Sequence, residues 1–284
     1  MNKKTKGIIF IICSAFFFAL MNVFVRLSGD LPSMQKSFFR NLVACLFSLI
    51  LLIRSHEKIS YQKENIPLLL LRSTLGTIGI ICNYYAVDHL VLSDASMLNK
   101  LSPFFVVLFS YLFLNEKASI FEFGCVGMAF IGSLFIIKPA LDFSLMFPSL
   151  VGFLGGLSAG AAYTCVRGLS LRGEKGVKIV FFFSTFSCLF CVPYLFFNYQ
   201  SMTLFQLVML LCAGLSAAGG QFSITAAYAN APAKEISAFD YSQVIFAAFM
   251  SFFIFNQLPD VYSFVGYGII ICTGIVLFLR QQKK

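Results

Sequence analysis

Ten apolar stretches run along the chain, near 7–27, 38–53, 66–86, 92–114, 119–138, 148–166, 177–197, 204–226, 236–255 and 261–280, with short polar connections between them. Each approaches the roughly 20 helical residues needed to cross a hydrocarbon core. The stretches are apolar all round rather than alternating. That predicts helices, which satisfy their own backbone in lipid, and argues against the alternating strands of a membrane barrel. The longest connection, from about Arg54 to Asn65, is too short to fold alone. The pattern therefore predicts an all-α integral membrane protein of ten transmembrane helices. Lys3, Lys4 and Lys6 precede the first stretch as they would in a signal peptide, but the apolar run continues to Leu27 with no small-residue cleavage site, so it is read as a retained helix.

Composition agrees with this pattern. With 59% hydrophobic and 12% charged residues, the polar surface is too small to clothe a water-soluble globule of 284 residues. The formal charge of +9 raises nucleic acid as a partner, yet the basic residues are scattered over short loops with no basic face to present them, so none is expected. They report orientation instead. One side carries Arg54, Lys58, Lys63, Lys117, Arg167, Arg172, Lys175, Lys178 and Lys234 together with the basic termini, against Arg26, Lys36, Arg40 and Lys138 on the other. The positive-inside rule then puts both termini in the cytoplasm, in a plasma (inner) membrane. Nine cysteines fall inside the predicted helices. Cys188 and Cys191 have CxxC spacing, but small apolar cysteines are common in helix interiors and no histidine stands near in sequence, so neither a metal nor a cofactor is expected.

The chain repeats itself at a shift of 141 residues, with Val25 on Val166, Arg26 on Arg167, Ser96 on Ser237, Phe105 on Phe246, Ser110 on Ser251, Asn115 on Asn256 and Gly127 on Gly268. This divides the chain into five-helix repeats at 1–143 and 144–284. Five is odd, so the second copy must enter the membrane from the opposite side. Such inverted repeats place a substrate site between the halves and allow two access states to exchange by symmetry.

Several segments resemble the drug/metabolite transporter superfamily and its EamA-type ten-helix carriers, over nearly the whole chain. They are Leu101-Ser102-Pro103 through Leu114-Asn115-Glu116, and Gln221 through Pro232 followed by Tyr241. The family often has a proline and a terminal Gly-Glu in the fourth helix, an Ala-Tyr-Ala-Pro stretch after the eighth and a second Gly-Glu ending the ninth. Here these read Pro103, Asn115-Glu116, Ala227-Tyr228 with Ala231-Pro232, and Asn256-Gln257, so the second glutamate is absent. The stretch Asp240-Tyr241-Ser242-Gln243 is also similar to carriers of S-adenosylmethionine and amphipathic metabolites. The resemblance implies uptake or efflux of small polar metabolites such as amino acids.

Ionisable side chains at bilayer depth cost about 2.5–3.5 kcal/mol on insertion scales and usually face a cavity or a partner. Lys100 and Asp240 are the deepest of them, and the repeat aligns Asn99 with Asp240 and Lys100 with Tyr241. Either Asp240 takes up a coupling proton or meets a substrate amine while Lys100 meets a carboxylate, or the two form an ion pair that fixes helix register. Arg40 matches the family's second-helix arginine and is a candidate for holding an anionic group through its planar fork. Arg72 could hold an anionic group in the same way, but is read chiefly as an interfacial anchor. Asn22, Asn83, Tyr84, Tyr163, Gln221 and Tyr241 lie in the first, third, sixth, eighth and ninth helices, from which the family builds its cavity. Interhelical hydrogen bonding is the other use for them. Glycines 152, 155, 156, 160, 214, 219 and 220 offer close helix contacts or flexible points.

The function expected is a secondary carrier for a small molecule, working in the lipid bilayer as a monomer or weak homodimer, with Asp240 the candidate coupling residue, a proton one candidate for the coupling ion, and that ion left open. An exchanger of the small-multidrug-resistance kind is disfavoured because residues 7–27 contain no Asp or Glu. A membrane-embedded enzyme lacks any HExxH or GxSxG motif to support it. A non-transporting receptor or scaffold stays open at this point.

Overall fold

The computed structural model describes residues 2–56, 59–89, 98–137, 146–256 and 261–282. Among these, ten helices of 13 residues or more carry the fold and no strand occurs. They are α1 (Lys3–Leu27), α2 (Ser33–Arg54), α3 (Ile66–His89), α4 (Ser102–Leu114), α5 (Ile120–Ile137), α6 (Met146–Leu171), α7 (Gly176–Asn198), α8 (Leu204–Asn230), α9 (Ser242–Phe255) and α10 (Val261–Gln282). Eight helical segments are long and apolar enough to cross a membrane, and α4 and α5 are shorter apolar helices. At a rise of about 1.5 Å per residue, a helix as long as α1 exceeds a bilayer core of about 30 Å. The outer surface is apolar, with Phe113, Phe196, Phe197 and Phe264 widely exposed. The ten-helix all-α membrane fold expected from the hydropathy pattern is thus observed. The junction between the repeats, at 143 and 144, lies outside the described residues, as do Lys58, Ser96, Lys138, Gln257 and the last two lysines.

The repeat is visible in which helices touch. Helix α1 packs on α8 and its counterpart α6 packs on α3; α4 packs on α6 as α9 packs on α1; α2 on α7 and α5 on α10 are pairs that map onto themselves. Every major interface therefore joins the two halves or has its partner in the repeat, as a two-fold relation between inverted halves requires. The matched Asn115 and Asn256 end α4 and α9 identically. Each is in the left-handed region, with φ of 55° and 52°, and the carbonyl of the matched Ser110 or Ser251 accepts the backbone N–H that closes that helix end, from Glu116 at 3.2 Å in the first half. Asparagine tolerates that conformation, which explains why the residue recurs.

Close packing uses small residues. On α3 and α6, a Cβ added at Gly79 would stand 3.3 Å from the Gly155 carbonyl oxygen, and one added at Gly155 would stand 3.2 Å from the Asn83 nitrogen. The glycines of α6 and α8 lie inside uninterrupted helices of 26 and 27 residues, so they serve helix contact rather than bending.

The ninth membrane crossing departs from the continuous helix that hydropathy alone suggests. Pro232 opens a one-turn helix, Ala233–Ile236, which tightens into a 3₁₀ turn at Ser237–Tyr241 before α9 begins. In the first half, Lys100 and Leu101 form a turn directly before α4. Irregular backbone at membrane depth survives where it lines a cavity rather than facing lipid. Here both interruptions meet, because the Tyr241 hydroxyl donates to the Lys100 carbonyl at 2.9 Å.

Candidate functional site

Between the halves lies a cavity of about 110 Å³. Nine of the ten side chains singled out in the sequence line it: Asn22, Arg40, Asn83, Tyr84, Asn99, Lys100, Tyr163, Gln221 and Asp240. The tenth, Tyr241, is fully buried behind the wall, bonded to Lys100 and packed on Phe130. In the turn that leads into α9 it is Asp240 and Gln243, three residues apart, that face inward together, and this displaces Tyr241 to the other side. Gln243 and Arg72 also line the cavity but were not singled out as site residues. Arg72 is 2% exposed, so it is no interfacial anchor. Its guanidinium lies 3.6 Å over the Phe183 ring. Phe18, Met21, Ile80 and Ile224 supply apolar wall.

The ionic groups divide into a satisfied pair and unsatisfied remainders. Lys100 Nζ donates to Gln243 Oε1 at 2.6 Å and to Asp240 Oδ2 at 3.4 Å, so the ammonium joins the broken helices of the two halves. Asp240 Oδ1 and Gln221 Nε2 are buried without a hydrogen-bond partner. Arg40 Nε reaches the Met21 sulfur at 3.3 Å, while Arg40 Nη1 and Arg72 Nε and Nη1 are also unpartnered. Among the described residues, two buried guanidiniums thus lack a carboxylate, in a cavity whose lining holds three cationic groups and one anionic group.

The cavity has a mouth and a floor. Asn22 is exposed and lies near the end of α1 far from the N-terminus, which puts the mouth at the side opposite the chain termini. Toward the termini, Tyr163 stacks on Tyr228 with ring centroids 5.7 Å apart. One turn further along α6, Arg167 Nε donates to Glu116 Oε1 at 2.7 Å and Arg167 Nη1 to the Tyr228 carbonyl at 3.0 Å. This closure joins α4 of the first half to α6 and α8 of the second. The repeat sets Arg26 against Arg167, and Arg26 stacks on Phe255 at 4.4 Å. The residue set against Glu116 is Gln257, outside the described residues. On the termini side residues 61–65 also dock, with Asn65 Nδ2 donating to Glu174 Oε1 at 3.1 Å and Tyr61 packed on Phe182. Burial, with the Glu174 carboxylate adding to it, pushes the Tyr61 phenol up to about 12.

A bundle of two inverted five-helix halves enclosing a polar cavity at membrane depth is the architecture of a membrane transporter. The comparisons with known proteins agree with that class. The EamA-like transporter family matches residues 5–138 and again 146–280, and the chain belongs to that family. It is 30% identical over 279 residues to the pseudopaline exporter CntI of Pseudomonas aeruginosa, covering 98% of this chain and 97% of that one. It is 26% identical to a riboflavin transporter of Brucella anthropi, over 96% of both chains. A solved crystal structure superposes with a TM-score of 0.87 at 9% identity over 98% of both chains, a likeness of fold. The resemblance read from the sequence is confirmed, and the protein is a multi-pass membrane transporter of small metabolites rather than an enzyme.

Proposed function

We propose that this transporter is a secondary carrier that moves a small polar or amphipathic metabolite, an amino acid or a related compound up to S-adenosylmethionine in kind, by alternating access. The observation that supports this most is the Lys100–Asp240 pair. It is buried, it sits where both halves break their helices, and it lies in the wall of the cavity between them. In this reading Asp240 is the coupling residue. A proton on its free Oδ1 removes the charge that holds Lys100, loosens the link between the halves and lets the site change sides. A substrate amine arriving at the same oxygen has the same electrostatic sense. Asn22, Asn83, Tyr84, Asn99, Tyr163 and Gln221 offer hydrogen bonds to the substrate, Arg40 and Lys100 supply positive charge, and Tyr241 holds the Lys100 backbone in place.

The chain duplication supplies both halves of the site, so a monomer suffices, and any homodimer is weak. The cation-rich end, which also carries the termini, faces the cytoplasm across an inner membrane. Arg40, on the poorer side by sequence count, lies inside the cavity and so sharpens the asymmetry. The test is uptake of labelled amino acids and S-adenosylmethionine into proteoliposomes with and without a pH gradient, for the native protein and Asp240→Asn. The expected result is saturable uptake whose response to the gradient disappears in the variant. Uptake with an unchanged gradient response in Asp240→Asn would remove the coupling role.

A further inference from the structure

We infer that Arg40 and Arg72 form a clamp for carboxylate, and that the cargo is an organic acid in which carboxylates outnumber amines. The inference rests on the carrier reading and narrows its substrate class. Four observations carry it. First, Arg40 and Arg72 are 7% and 2% exposed and line the same cavity, yet three of their guanidinium nitrogens have no hydrogen-bond acceptor. A buried donor left unpaired is costly, and more so when it is charged, so the arrangement is complete only with an anion present.

Second, the other polar groups do not fill that need. Lys100, the side chain that sequence alone suggests for a carboxylate, is occupied by Asp240 and Gln243. Among the described residues of the lining, Asp240 is the single carboxylate, which leaves a formal excess of two positive charges for an occupant to balance. S-adenosylmethionine, with its sulfonium, would add to that excess. Third, the Arg72 fork is held in place rather than hanging free. Its Cζ stands 3.6 Å over the Phe183 ring, and a Cβ added at Gly76 would come within 2.5 Å of its Nη1 and 2.8 Å of that ring. Gly76 therefore leaves the slot in which the guanidinium sits, and a planar fork held so matches the two oxygens of a carboxylate.

Fourth, α4 and α9 both begin at this cavity, with Ser102 and Gln243 of their first turns in its wall. Both halves thus bring polar groups to the same place. The unpartnered Asp240 Oδ1 and Gln221 Nε2 offer one acceptor for an amine and one further donor. The cavity of about 110 Å³ admits a small molecule.

The experiment is a thermal melt of the purified full-length protein in detergent, followed with a thiol-reactive dye that reports the buried Cys125, Cys165, Cys188 and Cys191 as they emerge. The probes are succinate, L-glutamate, its neutral isostere L-glutamine, putrescine and inorganic phosphate, each at millimolar concentration. Succinate and glutamate are expected to raise the melting temperature, with affinities about tenfold or more above those of glutamine and putrescine. Arg40→Gln and Arg72→Gln should each lose about tenfold or more of that affinity, while Arg172→Gln on an exposed loop should not. Gly76→Ala keeps every charge and displaces the guanidinium and the Phe183 ring beneath it, so it tests the slot if an arginine variant folds poorly, and it too should weaken succinate.

Equal stabilisation by glutamine and glutamate, full affinity in the arginine variants, phosphate binding as well as succinate, or no stabilisation by either carboxylate would overturn the inference. Arginine-dependent succinate binding by a protein that moves no probe into proteoliposomes would keep the clamp and end the carrier reading. Uptake of neutral amino acids unaffected by Arg40→Gln and Arg72→Gln would do the reverse.

Discussion

Glu116→Gln tests whether the closure below the cavity is a gate. Arg167 and Glu116 meet at 2.7 Å with side chains 11% and 12% exposed, and the same arginine holds the Tyr228 carbonyl at 3.0 Å. A hydrogen bond between charged groups contributes about 1.5–3 kcal/mol when well shielded, and glutamine keeps the shape while losing the charge. A loss of about 2 kcal/mol is therefore expected. The contact crosses between the halves, so it exists only while they are closed at the termini side, and the loss falls on one access state. A shift of about 2 kcal/mol changes the ratio of the two states about 30-fold. The assay is labelling of Asn83→Cys in a cysteine-free background, with an impermeant maleimide added on the termini side. Asn83 lines the cavity and is reached in this structure from the opposite mouth. Glu116→Gln should accelerate labelling from the termini side up to about 30-fold. Unchanged labelling together with a melting temperature lowered by the lost contact would refute the reasoning, because the pair would then be equally present in both states.

Two further outcomes follow from the ionic groups. Lys100→Met should destabilise the protein by about 3–5 kcal/mol by stranding the buried Asp240 carboxylate, and Lys100→Met with Asp240→Leu should recover most of the loss, as a double-mutant cycle of unfolding would show. The raised Tyr61 phenol means that the fold favours its neutral form. Its contribution is complete below the ordinary tyrosine value of 10 and is lost as pH rises toward about 12, so the melting-temperature advantage of the native protein over Tyr61→Phe should shrink across that window and stay flat below it.

Helix number, repeat and most of the cavity were legible in the sequence for separable reasons. Apolar runs of bilayer length have one structural solution, and a polar residue inside such a run must find a cavity or a partner, which is why Asn22, Arg40, Lys100, Gln221 and Asp240 stood out. Arg72 was misplaced because it stands six residues into α3, a depth from which a long side chain can snorkel to the interface. Only the fold shows that Gly76 and Phe183 turn it inward. Gln243 carried a signal that was available, since it lies one helical turn beyond Asp240 and shares its face. Tyr241 stood out for its neighbour, but hydropathy does not reveal the 3₁₀ turn that faces it away from the cavity. The repeat aligned Arg26 with Arg167 without indicating that Arg167 meets Glu116, because a match within the chain says nothing of contacts across it.

The most direct test of the whole account is counterflow. Proteoliposomes preloaded with unlabelled L-glutamate are diluted into a trace of the labelled compound, and internal label is followed in time. A site that is reached from one side at a time and returns faster when occupied predicts a transient accumulation of label above the external concentration. Label that only rises to the external level, or does not enter, with no overshoot for glutamate or succinate, would contradict a carrier of acidic metabolites built on alternating access.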